Sequence, residues 1–226
     1  MVEMDFGEAR YHMAECQIRP DRVRDERILG AFATIERERF VPETMRMCAY
    51  ADMEISLASE TTGVRRVLLS PRVLARLADI ADIESTHTVL DVGCGSGYSS
   101  AVLGRSAQLV VALEEDVALA TWAEKLLLEE ECENVSVVTG ALCEGYPKQA
   151  PYDVIMLEGS VLNAPQGLLE QLSQGGRLVC VLSENVQGRG GYFLREGDSF
   201  AWFDCFDAAA TPLPGFAPIP SFRFAT

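Results

Sequence analysis

The rhythm of apolar and polar positions changes at about residue 86. Before it, apolar residues recur at helical spacing from Ala9 to Ile18 and from Glu26 to Ile35, and both segments read as helices. Pro20 ends the first and the Phe40-Val41-Pro42 stretch the second. Ala49 to Val64 mixes both kinds of residue, closes on Thr61-Thr62-Gly63 and reads as loop with short strands. Ser70-Pro71 predicts a helix start, with Ser70 as N-cap and Pro71 in the first position. Val73, Leu74, Leu77, Ile80 and Ala81 make that helix's buried stripe.

After residue 86, short apolar runs alternate with helical patterns. Strands are predicted over 88–92, 109–113, 135–138, 154–157 and 177–182, with helices over 97–103, 117–130 and 165–172 between them. Continuous apolar runs suit a parallel sheet covered on both faces, and the alternation gives βαβ units, hence an α/β fold. Tyr192 to Arg195 and Phe200 to Phe206, joined by Glu196-Gly197-Asp198, read as a hairpin that makes the end of the sheet antiparallel. Thr211 to Gly215 reads as a rigid extended tail. Residues 1–86 therefore form a helical cap and residues 87–226 the main domain, packed as one unit.

Charge narrows the partners. Nineteen basic and 34 acidic residues leave a net charge of −15. Arg19, Arg22, Arg24 and Arg27 alternate with acids, and only Arg65-Arg66 is an uncompensated basic pair. This argues against a nucleic-acid partner, which draws on clustered Lys and Arg, and against an anionic membrane surface. No apolar run reaches the ~20 residues of a membrane span. The seven cysteines are scattered without a CxxC pair, and His12 and His87 are the only imidazoles, so neither a zinc site nor a disulfide framework is expected. Reduced thiols and an acidic N-terminus without an apolar core point to the cytoplasm.

The chemistry is expected at the turn Asp91-Val92-Gly93-Cys94-Gly95-Ser96-Gly97, between the first strand of the main domain and its helix. Glycines there permit a sharp turn and let a ligand approach the backbone. Glu114 closes the next strand, about 20 residues on, where an acid can accept hydrogen bonds from ribose hydroxyls. The alternative is a tight βα turn with Glu114 as a solvated strand-end acid. The spacing is GxGxG, not the GxGxxG of dinucleotide sites. Asp91 adds a carboxylate that would repel a pyrophosphate but suits an ammonium or sulfonium, favouring S-adenosylmethionine over NAD. Glu158, closing the 154–157 strand, is a candidate general base for a neutral acceptor, or else a supporting or surface acid without a direct role.

The segments QIRP, RERFVP, AYAD and LSPRVLARL, beginning at Gln17, Arg37, Ala49 and Leu69, precede LDVGCGSGYSSAVLG at 90–104 and Arg177 in Gly175-Gly176-Arg177-Leu178-Val179. In this order they resemble the protein-L-isoaspartate O-methyltransferases, from about Met13 to Val181. The resemblance implies a Rossmann-like, seven-stranded methyltransferase sheet, mostly parallel, with a helical N-terminal extension. It implies methyl transfer from S-adenosylmethionine to the α-carboxylate of isoaspartyl residues in damaged proteins or peptides, by a monomer or homodimer.

By position, Gly93, Gly95 and Gly97, with Asp91 and Cys94, would cradle the methionine part. Glu114 would hold the ribose, Ala141 and Leu142 would lie by the adenine, and Ser70 would stand beside the substrate carboxylate. Arg65 and Arg66 could grip that carboxylate bidentately. Three departures stand out. Arg66-Val67-Leu68-Leu69 replaces the family's usual Gly-Gln-Thr-Ile, Ala141 replaces its adenine-contacting acid, and Leu157-Glu158-Gly159 replaces its Thr-Ala. Two further readings follow: methyl transfer to another small acceptor with Glu158 as base, or a non-catalytic S-adenosylmethionine-binding protein.

Overall fold

A computed structural model describes residues 5–57, 66–183 and 188–216. The N-terminal part holds helices α1 (Phe6–His12), α2 (Glu26–Thr34) and α3 (Pro71–Ala81), with a small hairpin of β1 (Ile55–Leu57) and β2 (Arg66–Leu68). The strands that follow are β3 (Thr88–Val92), β4 (Leu109–Glu114), β5 (Val135–Thr139), β6 (Tyr152–Val161), β7 (Leu172–Leu182), β8 (Gly188–Glu196) and β9 (Ser199–Ala208). Helices α4 (Tyr98–Gly104), α5 (Val117–Glu129) and α6 (Gln166–Leu169) lie between them.

The seven strands from β3 onward form one sheet in the order β5-β4-β3-β6-β7-β8-β9. It is parallel as far as β7, after which β8 and β9 each pair antiparallel with the strand before. The apolar runs are continuous because both faces are covered. Val89, Val110, Ala112, Val154 and Met156 join one core cluster, together with residues of α2, α3, α4 and α5. Leu90, Val92, Val111, Leu113, Ile155 and Leu157 join the other. This strict alternation is the period of two expected of strands. The N-terminal helices share the first cluster with the sheet, through Met13, Ile28, Phe32 and Leu74 among others.

Four local expectations are corrected. The first helix starts at Phe6, where Asp5 caps it by accepting from the Glu8 amide, and it continues as π-helix from Met13 to Ile18. Ser70 does occupy the N-cap of α3, yet its side chain makes no capping bond. Asp52 reaches across and accepts from the Arg72 amide at 3.2 Å. The 165–172 helix shrinks to α6, and β7 begins at Leu172 instead of Arg177. The segment Ser173-Gln174-Gly175-Gly176, left between the predicted helix and strand, forms a bulge within the strand, with Gly175 at φ +78°.

Gly176 makes that bulge feasible. A Cβ there would lie 2.9–3.0 Å from three backbone oxygens, those of Ser173, Asp153 and Tyr152. Gly176→Ala is expected to cost about 1–3 kcal/mol, because the clash is with backbone that cannot rotate aside. A thermal melt unchanged within a degree would contradict this.

Candidate active site

Three acids share one face of the sheet on adjacent strands, Asp91 and Glu114 at the carboxyl ends of β3 and β4 and Glu158 within β6, which runs past the predicted 154–157. Asp91 pairs in register with Ala112 on β4 and with Met156 on β6. Side chains alternate along a strand, so Asp91 projects on the same face as Ala112 and Met156, and Glu114, two residues after Ala112, follows it. A second bulge in β6 between Met156 and Ser160 carries Glu158 to the same place. Glu158 is 3% exposed, and Asp91 and Glu114 are fully buried.

The glycine turn wraps around Glu114. Gly93, Gly95 and Gly97 all have positive φ, at 84°, 57° and 92°. That region is open to glycine at no steric cost, so the turn needs these residues at these places. The Gly93 and Cys94 amides donate to Leu113 O, and the Gly97 amide to Cys94 O. The Gly95 amide donates to Glu114 Oε2 at 2.8 Å. All four amides are committed, so the turn is no phosphate nest, in keeping with the charge argument from Asp91.

Glu114 is saturated as well. Its Oε1 accepts from the Glu115 and Asp116 amides at 3.0 and 3.1 Å. Its Oε2 accepts a second bond, from Arg66 Nη2 at 2.7 Å, and the same nitrogen reaches Gly93 O at 2.8 Å. Arg66 is itself only 3% exposed. The expectation that Arg66 grips a substrate carboxylate is therefore overturned. It is turned inward as the partner of Glu114, which is no solvated strand-end acid. Arg65 lies outside the described residues.

Asp91 and Glu158 form the other half of the cluster. Asp91 Oδ2 accepts from Ser99 and Ser100 at 2.7 and 2.6 Å, which ties it to the first turn of α4. Asp91 Oδ1 and Glu158 Oε1 have no conventional donor. The two carboxyl groups lie close enough to interact, and neither can donate to the other while both are ionised. Burial, then the neighbouring Asp91 charge, pushes Glu158 well above the ordinary carboxylate range, although Arg66 and Arg37 pull the other way. Burial raises Asp91 from 3.8 to about 6. Glu158 is therefore no solvent-exposed acid: it is buried against Asp91, which disfavours its ionised form.

The remaining candidates scatter. Cys94 is buried in the turn, and burial drives its thiol pKa well up, so it is a packing residue. Leu142 is buried in the second core cluster, whereas Ala141 is exposed. Ser70 opens on a groove of about 240 Å³ with Asp21, Asp52, Arg72 and Phe206, where Arg72 is paired to both acids.

The structure adds residues that sequence reasoning passed over. Arg37 is fully buried, donates to Ala49 O and Leu69 O, and lies 4.7 Å from the Tyr98 ring centroid. Its Nη1, Tyr98 Oη and Arg66 Nε are buried without partners. Leu213 Cδ1 stands 2.9 Å from where a Gly93 Cβ would be. Arg37 lies within RERFVP, so its presence in the sequence was plain, but its burial was not.

A nucleoside cofactor with a cationic sulfur can be tested against these residues. The donor set fits: backbone-exposing glycines, Asp91 for positive charge and Glu114 as a hydroxyl acceptor. Arg66 and Leu213 stand over that set. Among the described residues no cluster of three or more His, Cys, Asp or Glu could hold a metal ion. No helix there is long and apolar enough to cross a membrane.

Sheet order, glycine turn and strand-end acids together define a class I S-adenosylmethionine-dependent methyltransferase. The family description protein-L-isoaspartate(D-aspartate) O-methyltransferase matches residues 10–199. A protein-L-isoaspartate O-methyltransferase of Koribacter versatilis is 38% identical over 174 residues, 77% of this chain and 76% of that protein. The chain belongs to the protein-L-isoaspartate O-methyltransferase family. Two solved structures of that description share the fold. One superposes with a TM-score of 0.77 at 23% identity over 92% of this chain and 66% of its own. The other, from Plasmodium falciparum in complex with S-adenosyl-L-homocysteine, has a TM-score of 0.70 at 16% identity over 89% of this chain and 96% of its own.

Proposed function

We propose that the chain methylates the α-carboxylate of isoaspartyl residues in damaged proteins or peptides. Gly93, Gly95, Gly97 and Asp91 then surround the methionine part of S-adenosylmethionine, and Glu114 accepts from its ribose hydroxyls. The observation that carries the reading is the joint placement of Asp91 and Glu114 around a turn of three left-handed glycines, inside the matched stretch. When bound, the cofactor supplies a methyl group already activated on a sulfonium. The protein's work is then alignment, which can be worth roughly 7–11 kcal/mol.

A carboxylate acceptor is ionised at neutral pH and needs no proton removed. That suits a site in which burial disfavours the ionised form of Glu158. Ser70, whose capping work Asp52 performs, offers a hydroxyl to hold the acceptor without quenching it. The free thiols suit a reducing compartment such as the cytoplasm.

Methyl transfer to an isoaspartyl peptide and to its aspartyl twin tests the reading. Labelled methyl is expected on the first peptide alone, as a base-labile ester. Equal labelling of both, or of neither, overturns it.

A further inference from the structure

The covering of the glycine turn comes from two places far apart in the chain. Arg66 belongs to β2, where it pairs in register with Leu57 of β1. A Cβ on Gly93 would meet Arg66 Nη2 at 2.8 Å, and one on Gly95 would meet Leu57 Cδ1 at 2.6 Å. The second cover is the segment after β9. Its Leu213 side chain is 3% exposed and completes the covering of Gly93. The small hairpin and this segment are joined: Glu54, beside β1, accepts from the Thr211 amide at 2.7 Å and from its hydroxyl at 2.6 Å. The sheet holds the segment from below, since Ser160 N donates to Thr211 O and Leu213 N to Ser160 O.

A carboxylate offers about four lone-pair sites. Glu114 spends three on backbone amides and the fourth on Arg66. A ribose diol therefore finds an acceptor on Glu114 only when Arg66 leaves. The leaving is eased by an imperfection, because the buried Arg66 Nε has no partner where it stands. An N–H left unsatisfied in the interior is costly, and outward movement returns it to water.

We propose that Arg66 is an internal competitor for the cofactor, occupying the ribose acceptor on Glu114 under a cover completed by Leu213, so that it sets cofactor affinity. This rests on the reading of Glu114 as the ribose ligand. In the described conformation the site is shut. The apparent dissociation constant is the intrinsic one divided by the fraction of molecules with Arg66 displaced. Removing the competitor raises that fraction toward one, and trimming Leu213 raises it less, because the ion pair remains.

Calorimetric titration with S-adenosylhomocysteine, which carries no methyl group to transfer, separates binding from turnover. Arg66→Ala is expected to bind it at least tenfold more tightly than the natural chain, and Leu213→Ala a fewfold more tightly. Saturating ligand should raise the melting temperature of Arg66→Ala by more than it raises that of the natural chain. If Arg66→Ala does not fold, Leu213→Ala decides: a gain in affinity supports the proposal and no gain overturns it. Tight binding by the natural chain with no improvement in either variant overturns the competitor alone. No binding by any of the three overturns the competitor and the proposed function together.

Discussion

Glu114→Ala is expected to lower the unfolding free energy by about 3–5 kcal/mol, the range for breaking a buried ion pair from one side. Two losses combine. The Arg66 guanidinium, 3% exposed, keeps only Gly93 O among its former partners, with its charge uncompensated. The Gly95, Glu115 and Asp116 amides lose their common acceptor in the same step. Glu114→Gln separates the two, since its carbonyl still accepts from part of this set while the charge is gone, and its loss should be smaller. The double variant Arg66→Met with Glu114→Ala should recover the charge part but not the amide part. Urea midpoints at constant m-value measure all four proteins. A loss below 1 kcal/mol for Glu114→Ala would show that Arg66 reaches water by itself.

On the proposed reading of Glu114 as the ribose ligand, the same residue carries stability and ligand recognition, which constrains how the chain can change. Most of its 34 acids lie outside the core, where single ion pairs are worth little. Inside, Asp91, Glu114 and Glu158 face two buried guanidinium groups, Arg37 and Arg66. Charges in that cluster are worth several times more than at the surface, because no water screens them. A substitution there alters folding and the site together, so binding and stability need to be measured side by side.

The order of strands and helices was legible because each buried strand carries its own apolar run and each helix its own period. Thr88 to Val92 agrees residue for residue, and the glycine turn followed from Gly93, Gly95 and Gly97 in line. Errors arose where local chemistry competes with pairing across the sheet. Gly175-Gly176 falls outside both predicted elements, yet it is a bulge inside β7, held by β6. Ser70 looks like a cap, but Asp52, distant in sequence, does the capping. Arg66 was legible as basic and illegible as buried. Nothing local in Arg65-Arg66 says that one side chain spans to an acid 48 positions away. Leu213 was hidden for the same reason: its contact with Gly93 depends on the tail folding back along Ser160.

Glu158→Gln should change how stability depends on pH. A carboxyl group whose pKa is raised by folding stabilises the native state while protonated, and that contribution is lost as pH rises through the folded value. For Asp91 the loss runs from about 4 to about 6, since burial lifts it from 3.8 to about 6. At 1.36 kcal/mol per tenfold, that amounts to about 3 kcal/mol at neutral pH. Glu158, which burial and the Asp91 charge also raise, adds a further loss that begins once pH passes its unfolded value, about 4.5. Glutamine has the shape of the protonated acid, can donate to Asp91 Oδ1 and does not ionise. The variant should therefore gain on the natural chain as pH rises from 5 to 9, because the unfolded natural chain ionises Glu158 while the folded one resists. Self-repulsion from the net −15 acts on both proteins and drops out of the difference. Denaturant midpoints at the two pH values supply the comparison, and parallel curves would mean that folding does not disfavour the ionised form of Glu158.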